Sequence, residues 1–230
     1  FLELIFSSEF NVQKLPNTPL YAITDSNLVP TGHLAAAKAL IAGGARLIQL
    51  REKVASTTDF FATACAVVAY AHQHAVTVII NDRVDIARLS GADGVHLGQE
   101  DLSIEKARAL LGDSAIIGIS THSLLQAQLA NRQMVDYIAV GPIFATNTKP
   151  EASQRVTGGQ VGLSLLRQIR CITDKPLVAI GGITRQNAWA VQQAGANYVA
   201  VIGDLLKTDD IMSRTMEFLT IGLSSESKQS

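Results

Sequence analysis

Cysteine is nearly missing from this chain, with Cys65 and Cys171 the whole complement. Two thiols far apart in apolar stretches offer neither a disulfide framework nor metal-ligand spacing. Both read as buried thiols of a reducing compartment, which points to the cytoplasm. An excess of charge is missing too: 19 basic against 20 acidic side chains leave a net charge of -1. No global field therefore draws in nucleic acid, and an anionic ligand must be held by locally placed Lys and Arg. No apolar run approaches the about 20 residues of a membrane-spanning helix, so no membrane partner is expected. The opening Phe1-Leu-Glu-Leu-Ile-Phe6 lacks the basic flank and length of a signal peptide. Low-complexity tracts and Pro/Ser linkers are absent, which leaves a single domain.

What is present is apolar content: 47% hydrophobic against 17% charged residues supports a sizeable core and carries no mark of disorder. A chain that starts at Phe1 without methionine reads as a processed or recombinant fragment, and residues 1–14 are set aside as an N-terminal extension. Residues 15–222 form the expected domain, and the polar stretch 223–230 reads as a frayed tail.

From Leu20 onward, short β-branched runs alternate with longer stretches of helical periodicity, the pattern of βα units around a parallel sheet. The strand candidates are Leu20–Thr24, Arg46–Leu50, Thr77–Ile80, Gly94–Leu97, Ala115–Ile119, Tyr137–Val140, Leu177–Ile180 and Tyr198–Val201. Helix candidates between them include His33–Ala42, Asp59–His72, Ile104–Leu111, Leu124–Arg132, Gly162–Arg170, Arg185–Gln193 and Asp209–Leu219. So many units in this length fit a closed barrel better than an open sheet. The predicted class is α/β, a single (β/α)8 TIM barrel. Glycine recurs where helix gives way to strand, as in Ala42-Gly-Gly-Ala45, Ser90-Gly-Ala-Asp93 and Ala194-Gly-Ala-Asn197, where it ends the helix in a left-handed conformation.

Active sites of such barrels lie at the C-terminal strand ends, and here those ends are polar. Asp82 closes Thr77-Val-Ile-Ile-Asn-Asp82, and Asp101 closes Gly94-Val-His-Leu-Gly-Gln-Glu-Asp101. On one rim, two hard carboxylates without His or Cys partners suit Mg²⁺, which keeps waters and phosphate oxygens in its other positions. The alternative is that both are helix N-caps. After the second strand, Gln49-Leu-Arg-Glu-Lys53 puts Gln49, Arg51 and Lys53 on one face; an edge salt bridge with Glu52 or Glu100 is the competing explanation. Asn81 ends the third strand, and Gly118-Ile-Ser-Thr-His122 ends the fifth. Ser120 there is a ligand or an N-cap, His122 a general base or a capping residue, and His96 a satisfied barrel-interior histidine. The long segment Gly141-Pro-Ile-Phe-Ala-Thr-Asn-Thr-Lys149 to Gly162 reads as a lid, with Thr146, Thr148 and Lys149 able to hold a phosphate. Glycines at Ala179-Ile-Gly-Gly-Ile183 and Val201-Ile-Gly203 leave bare N–H groups before helices, a setting for a phosphate monoester. Two anion sites on one rim point to an enzyme joining a pyrophosphorylated substrate to a phosphorylated one.

Together with Tyr21-Ala-Ile-Thr-Asp25, these motifs resemble those of the thiamine-phosphate synthase family, from about Leu20 to about Leu219. The resemblance implies a transferase that condenses hydroxymethylpyrimidine diphosphate with a thiazole phosphate, giving thiamine phosphate and pyrophosphate through a pyrimidine carbocation. Carried over, the family's pyrophosphate ligands match Arg51, Lys53, Asn81, Ser120 and Lys149, of which Arg51, Lys53, Ser120 and Lys149 are the catalytic set. Gln49 matches the pyrimidine end, and Asp82 and Asp101 the Mg²⁺ ligands. Thr146, Thr148, Gly182, Ile202 and Gly203 match the thiazole-phosphate contacts. One departure is Gly203, where the family usually has serine, so weaker phosphate binding is expected. A thiazole tautomerase using His122 and a non-catalytic phosphate-binding barrel are the alternatives. Partners are small-molecule substrates, with a homo-oligomer left open.

Overall fold

The computed structural model describes residues 14–146, 156 and 158–221. Its centre is a closed, all-parallel barrel in which the strands follow in sequence order and the last pairs with the first. The strands are β1 (Leu20–Asp25), β2 (Leu47–Arg51), β3 (Thr77–Asn81), β4 (Gly94–Leu97), β5 (Ile116–Thr121), β6 (Tyr137–Val140), β7 (Leu177–Ile180) and β8 (Tyr198–Val201). Nearly every strand residue is buried, as expected of a parallel sheet covered outside by helices and packed inside by its own side chains.

Four strands run one or two residues further than their apolar runs predict, to Asp25, Arg51, Asn81 and Thr121. The ladder continues there: Asp25 is in register with Arg51, Asn81 with His96, and Thr121 with Val140. These polar residues therefore belong to the rigid barrel rather than to loops, which fixes their positions.

Outside lie α1 (His33–Ala42), α2 (Thr57–Gln73), α3 (Val84–Ser90), α4 (Ile104–Leu111), α5 (Leu124–Asn131), α6 (Gly162–Arg170), α7 (Ala188–Gln193), α8 (Gly203–Leu206) and α9 (Ile211–Leu219). Short polar side chains start several of them: Ser56 accepts from Asp59 N–H, Ser103 from Lys106, Ser123 from Gln126 and Asp210 from Ser213. Gly44, Gly91 and Gly195 are left-handed at the returns to the strands, as the Ala-Gly pattern predicts.

Two helices escape the periodicity reading, α3 and the one-turn α8, both too short to show it. Helix α7 begins three residues later than expected. Asn187 holds residues 184–187 as a turn instead, its Oδ1 accepting from Thr184 N–H at 2.8 Å and its Nδ2 donating to Gly182 O at 3.0 Å. The thiols differ from expectation as well: Cys171 is exposed, standing at the C-cap beyond the last turn of α6, and Cys65 is only half-buried.

Candidate active site

The strand ends of β1 to β4 form a charged cluster. Arg51 and Asp25, 5% and 2% exposed, make a buried ion pair across neighbouring strands. Glu52, the carboxylate expected beside Arg51, turns elsewhere: it accepts from Ser26 Oγ, from the N–H groups of Val54 and Ala55, and faces His33 Nε2 at 3.3 Å. These bonds brace the turn that carries Lys53. Burial pushes the Glu52 carboxyl up, yet those donors outweigh it and hold it down at about 2. Burial also lowers the His33 imidazole, against the pull of Glu52 and Asp25.

Lys53 Nζ donates to Asp82 Oδ2 at 2.5 Å, and the Asp82 carboxylate lies beside that of Asp101. Neither aspartate caps a helix: Arg83 and Ser103 occupy the N-cap positions of α3 and α4. Asp82 is left-handed, with φ 63°, a conformation Asp tolerates better than most side chains, and its N–H donates to His96 O at 2.8 Å. Asp101 accepts from Gly98 N–H at 2.7 Å. Burial raises the Asp82 carboxyl, but the Lys53 ammonium outweighs it and leaves it below the ordinary range. At Asp101, burial and the neighbouring Asp82 charge win over the Gly98 N–H, so its carboxyl is raised. Two adjoining carboxyls whose affinities for protons are driven apart concentrate negative charge at one point of the rim, which a cation would neutralise. Among the described residues no three His, Cys, Asp or Glu side chains group as metal ligands.

A second region is a cavity of about 470 Å³ over β5 to β8, bordered by Ser120, His122, Pro142, Thr146, Gly181, Gly182, Ile202, Gly203, Lys207 and Arg214 among others. Gly181 and Gly182 are left-handed at φ 101° and 61°, and a β carbon on either would lie within 2.7 Å of the Pro142 or Phe144–Ala145 segment. The chain turns there in a way only glycine allows. Gly203 opens α8, so its N–H has no intrahelical acceptor. His122 Nδ1 donates to Gly141 O at 2.6 Å.

The structure thus gathers Gln49, Arg51, Lys53, Asn81, Asp82, Asp101 and Ser120 at the ends of β2 to β5, and Thr146, Gly182, Ile202 and Gly203 around the cavity. Ser120 belongs to both. Thr148 and Lys149 lie outside the described residues. Sequence reasoning passed over Asp25, although it ends β1 as Asp82 follows β3, and the same strand-end polarity would have flagged it. It also passed over Tyr21, Tyr137, Lys207 and Arg214.

Fold and rim define the class: a (β/α)8-barrel enzyme with its charged and polar groups gathered at the C-terminal strand ends. The chain belongs to the thiamine monophosphate synthase family, whose sequence model matches residues 20–205. It is 46% identical over 213 residues to a thiamine-phosphate synthase of Koribacter versatilis, covering 90% of this chain and 96% of that protein. A thiamine-phosphate synthase of Chloroflexus aurantiacus is 43% identical, covering 84% and 87%. The solved thiamine phosphate pyrophosphorylase of Pyrococcus furiosus superposes with a TM-score of 0.79 at 33% identity, covering 90% of this chain and 94% of that one. These relatives are synthases by name, which supports the synthase reading over the tautomerase alternative.

Proposed function

We propose that this chain condenses 4-amino-2-methyl-5-hydroxymethylpyrimidine diphosphate with a thiazole phosphate to give thiamine phosphate and pyrophosphate, and that residues 15–222 are the catalytic domain. The observation that carries this reading is the contact of Asp82 with Asp101 beside Lys53 and the buried Arg51. Such a cluster has little use except around a highly charged ligand. The donor set fits Mg²⁺: hard carboxylate oxygens, few enough to leave positions for substrate oxygens. When bound by Asp82 and Asp101, Mg²⁺ would supply neutralisation of charge on the leaving diphosphate.

The chain's own residues do the remaining work. Arg51, Lys53, Asn81 and Ser120, with Lys149, bind and orient the diphosphate and stabilise the negative charge that grows as the methylene–oxygen bond breaks. The electron pair of that bond leaves with pyrophosphate, and the pyrimidine carbocation is stabilised by its own amino group. Gln49 Oε1, a buried acceptor with no hydrogen-bond partner among the described residues, suits that amino group. Thr146, Gly182, Ile202 and Gly203, with Thr148, hold the thiazole phosphate so that its ring nitrogen lies in line and water is kept away. The nitrogen lone pair forms the new bond and no proton has to be removed, so the reaction needs no general base. His122 remains a cavity wall tied to Gly141. Two free thiols agree with a reducing cytoplasm as the place of work.

The test is to supply both substrates with and without Mg²⁺ and to measure thiamine phosphate and pyrophosphate. Product is expected only with the metal; none at saturating substrate would sink the reading. Asp82→Asn should cut turnover at least a hundredfold, by about 3 kcal/mol of barrel-rim electrostatics, with thiazole-phosphate binding nearly intact.

A further inference from the structure

Inside the barrel mouth, hydrogen bonds link five side chains from five different strands. Gln49 Nε2 donates to Tyr21 Oη at 2.9 Å, Tyr21 Oη lies 2.9 Å from Tyr137 Oη, Tyr137 Oη lies 2.9 Å from His96 Nδ1, and His96 Nε2 lies 2.8 Å from Ser120 Oγ. The row is built by register: His96, Gly118 and Tyr137 stand opposite one another on β4, β5 and β6. Gly118 contributes no side chain between them, so the two rings stack at 5.6 Å with a 12° tilt. Tyr21 meets Tyr137 edge-on at 5.9 Å.

The direction of this chain follows from its first donor. An amide nitrogen only donates, so Tyr21 Oη accepts from Gln49. Tyr21 is fully buried, and its own proton has Tyr137 Oη as the acceptor within reach. The Tyr137 proton then goes to His96 Nδ1. A nitrogen that accepts carries no proton, so a neutral His96 holds its proton on Nε2 and gives that hydrogen bond to Ser120 Oγ. Ser120 accepts there, and its own hydroxyl hydrogen is left to donate into the cavity it borders. Running the chain the other way would strand the Tyr21 proton unless the Gln49 amide turned over.

We propose that His96 is a positioning residue that acts through Ser120: held as the Nε2–H tautomer by Gln49, Tyr21 and Tyr137, it fixes the Ser120 hydroxyl as a hydrogen-bond donor to an anionic oxygen. This deepens the synthase reading and rests on it for the identity of the anion, a diphosphate. The two ends of the chain are then complementary to the two ends of one substrate. Gln49 Oε1, unpartnered among the described residues, offers an acceptor to an amino group, and Ser120 offers a donor to the leaving group. Hydrogen bonds in series polarise one another, so occupying one end strengthens the other.

Two measurements decide it. In the ¹⁵N spectrum of histidine-labelled protein without substrate, the His96 ring, assigned by its loss in His96→Gln, should show protonated Nε2 and bare Nδ1. A bare Nε2, or a doubly protonated ring, would overturn the proposal whatever reaction the enzyme performs. In calorimetry with Mg²⁺ and inorganic pyrophosphate as probe, Ser120→Ala should weaken binding about tenfold, one hydrogen bond to a charged oxygen. His96→Leu should match it, the double variant should be no worse than Ser120→Ala, and His96→Gln, which keeps an N–H toward Ser120, should recover most of the loss. Additive losses would mean that His96 does not act through Ser120. A wild type that ignores pyrophosphate would overturn the synthase reading, while the tautomer still decides the direction of the chain.

Discussion

Replacing Gly118 by alanine tests the packing on which the barrel mouth depends. A β carbon at that position would lie 1.9 Å from Cζ of Tyr137, and 2.3 and 2.4 Å from its Cε2 and Cε1. Ordinary carbon contact is about 3.5 Å, so the ring would have to withdraw by roughly 1.5 Å. It has nowhere to go: Tyr137 is 0% exposed, stacked on His96 and met edge-on by Tyr21. Overpacking of this kind costs about 1–3 kcal/mol, and a displaced Tyr137 gives up at least one hydrogen bond, about 1 kcal/mol. Against that, alanine in a strand is favoured over glycine by about 0.5–1 kcal/mol. The net expectation is a loss of about 1–3.5 kcal/mol, or a fall in Tm of about 3–10 °C for a domain of this size. The decisive readout is a sign. In a Tyr137→Leu background the ring is gone, the clash disappears, and Gly118→Ala should stabilise by about 0.5–1 kcal/mol. Thermal denaturation of the four proteins closes the cycle. Equal effects in both backgrounds, or a neutral Gly118→Ala in the unaltered chain, would refute the claim that Gly118 exists to seat Tyr137.

Glu52 predicts a pH dependence. Burial works against its carboxylate, but the Ala55, Val54, Ser26 and His33 donors win and hold the folded-state value at about 2, below the ordinary 4.5. A depressed carboxyl stabilises fully above its unfolded value and loses that contribution as pH falls toward the folded one. Urea midpoints should therefore drop more steeply between pH 4.5 and 2 in the wild type than in Glu52→Gln, and parallel curves would show that the braces are not felt. Gly203→Ser adds a hydroxyl beside the backbone N–H that opens α8 at the edge of the cavity. It should lower KM for the thiazole phosphate by about threefold to tenfold in steady-state kinetics, with kcat little changed. An unaltered KM would show that backbone N–H groups alone set that affinity.

Strand order and closure were legible because apolar β-branched runs separated by helical periodicity leave few alternatives at this length. The expected and observed strands differ chiefly where Asp25, Arg51, Asn81 and Thr121 prolong the ladder. Polarity hid them, because a charged residue at the end of an apolar run looks like the start of a loop. Helices α3 and α8 were invisible for a different reason, since seven and four residues cannot display a 3.6-residue period. At the site, strand-end position was enough to place Asp82, Asp101, Arg51 and Lys53 on one rim. It could not reveal which carboxylate meets which cation, because that depends on register: Arg51 meets Asp25, its direct neighbour on β1, rather than the adjacent-in-sequence Glu52.

The same dependence on register explains why the interior chain of hydrogen bonds left no trace in the sequence. Tyr21, Gln49, His96, Ser120 and Tyr137 each sit singly in an apolar strand, where the ordinary reading of a lone polar residue is a locally satisfied one. That reading omits that they bond to one another, with Gln49 Oε1 left over as an acceptor among the described residues. Closing the barrel brings five isolated side chains from β1, β2, β4, β5 and β6 into a single series, with an acceptor at one end and a donor at the other. Burial and the orientation of the Gln49 amide together make the series directional, since with Nε2 toward Tyr21 a reversed series would leave the Tyr21 proton in the core with no acceptor. The apolar interior that stabilises the fold is therefore also what orients the Ser120 hydroxyl, and substitutions that admit water beside Tyr137 should loosen that orientation before they unfold the barrel.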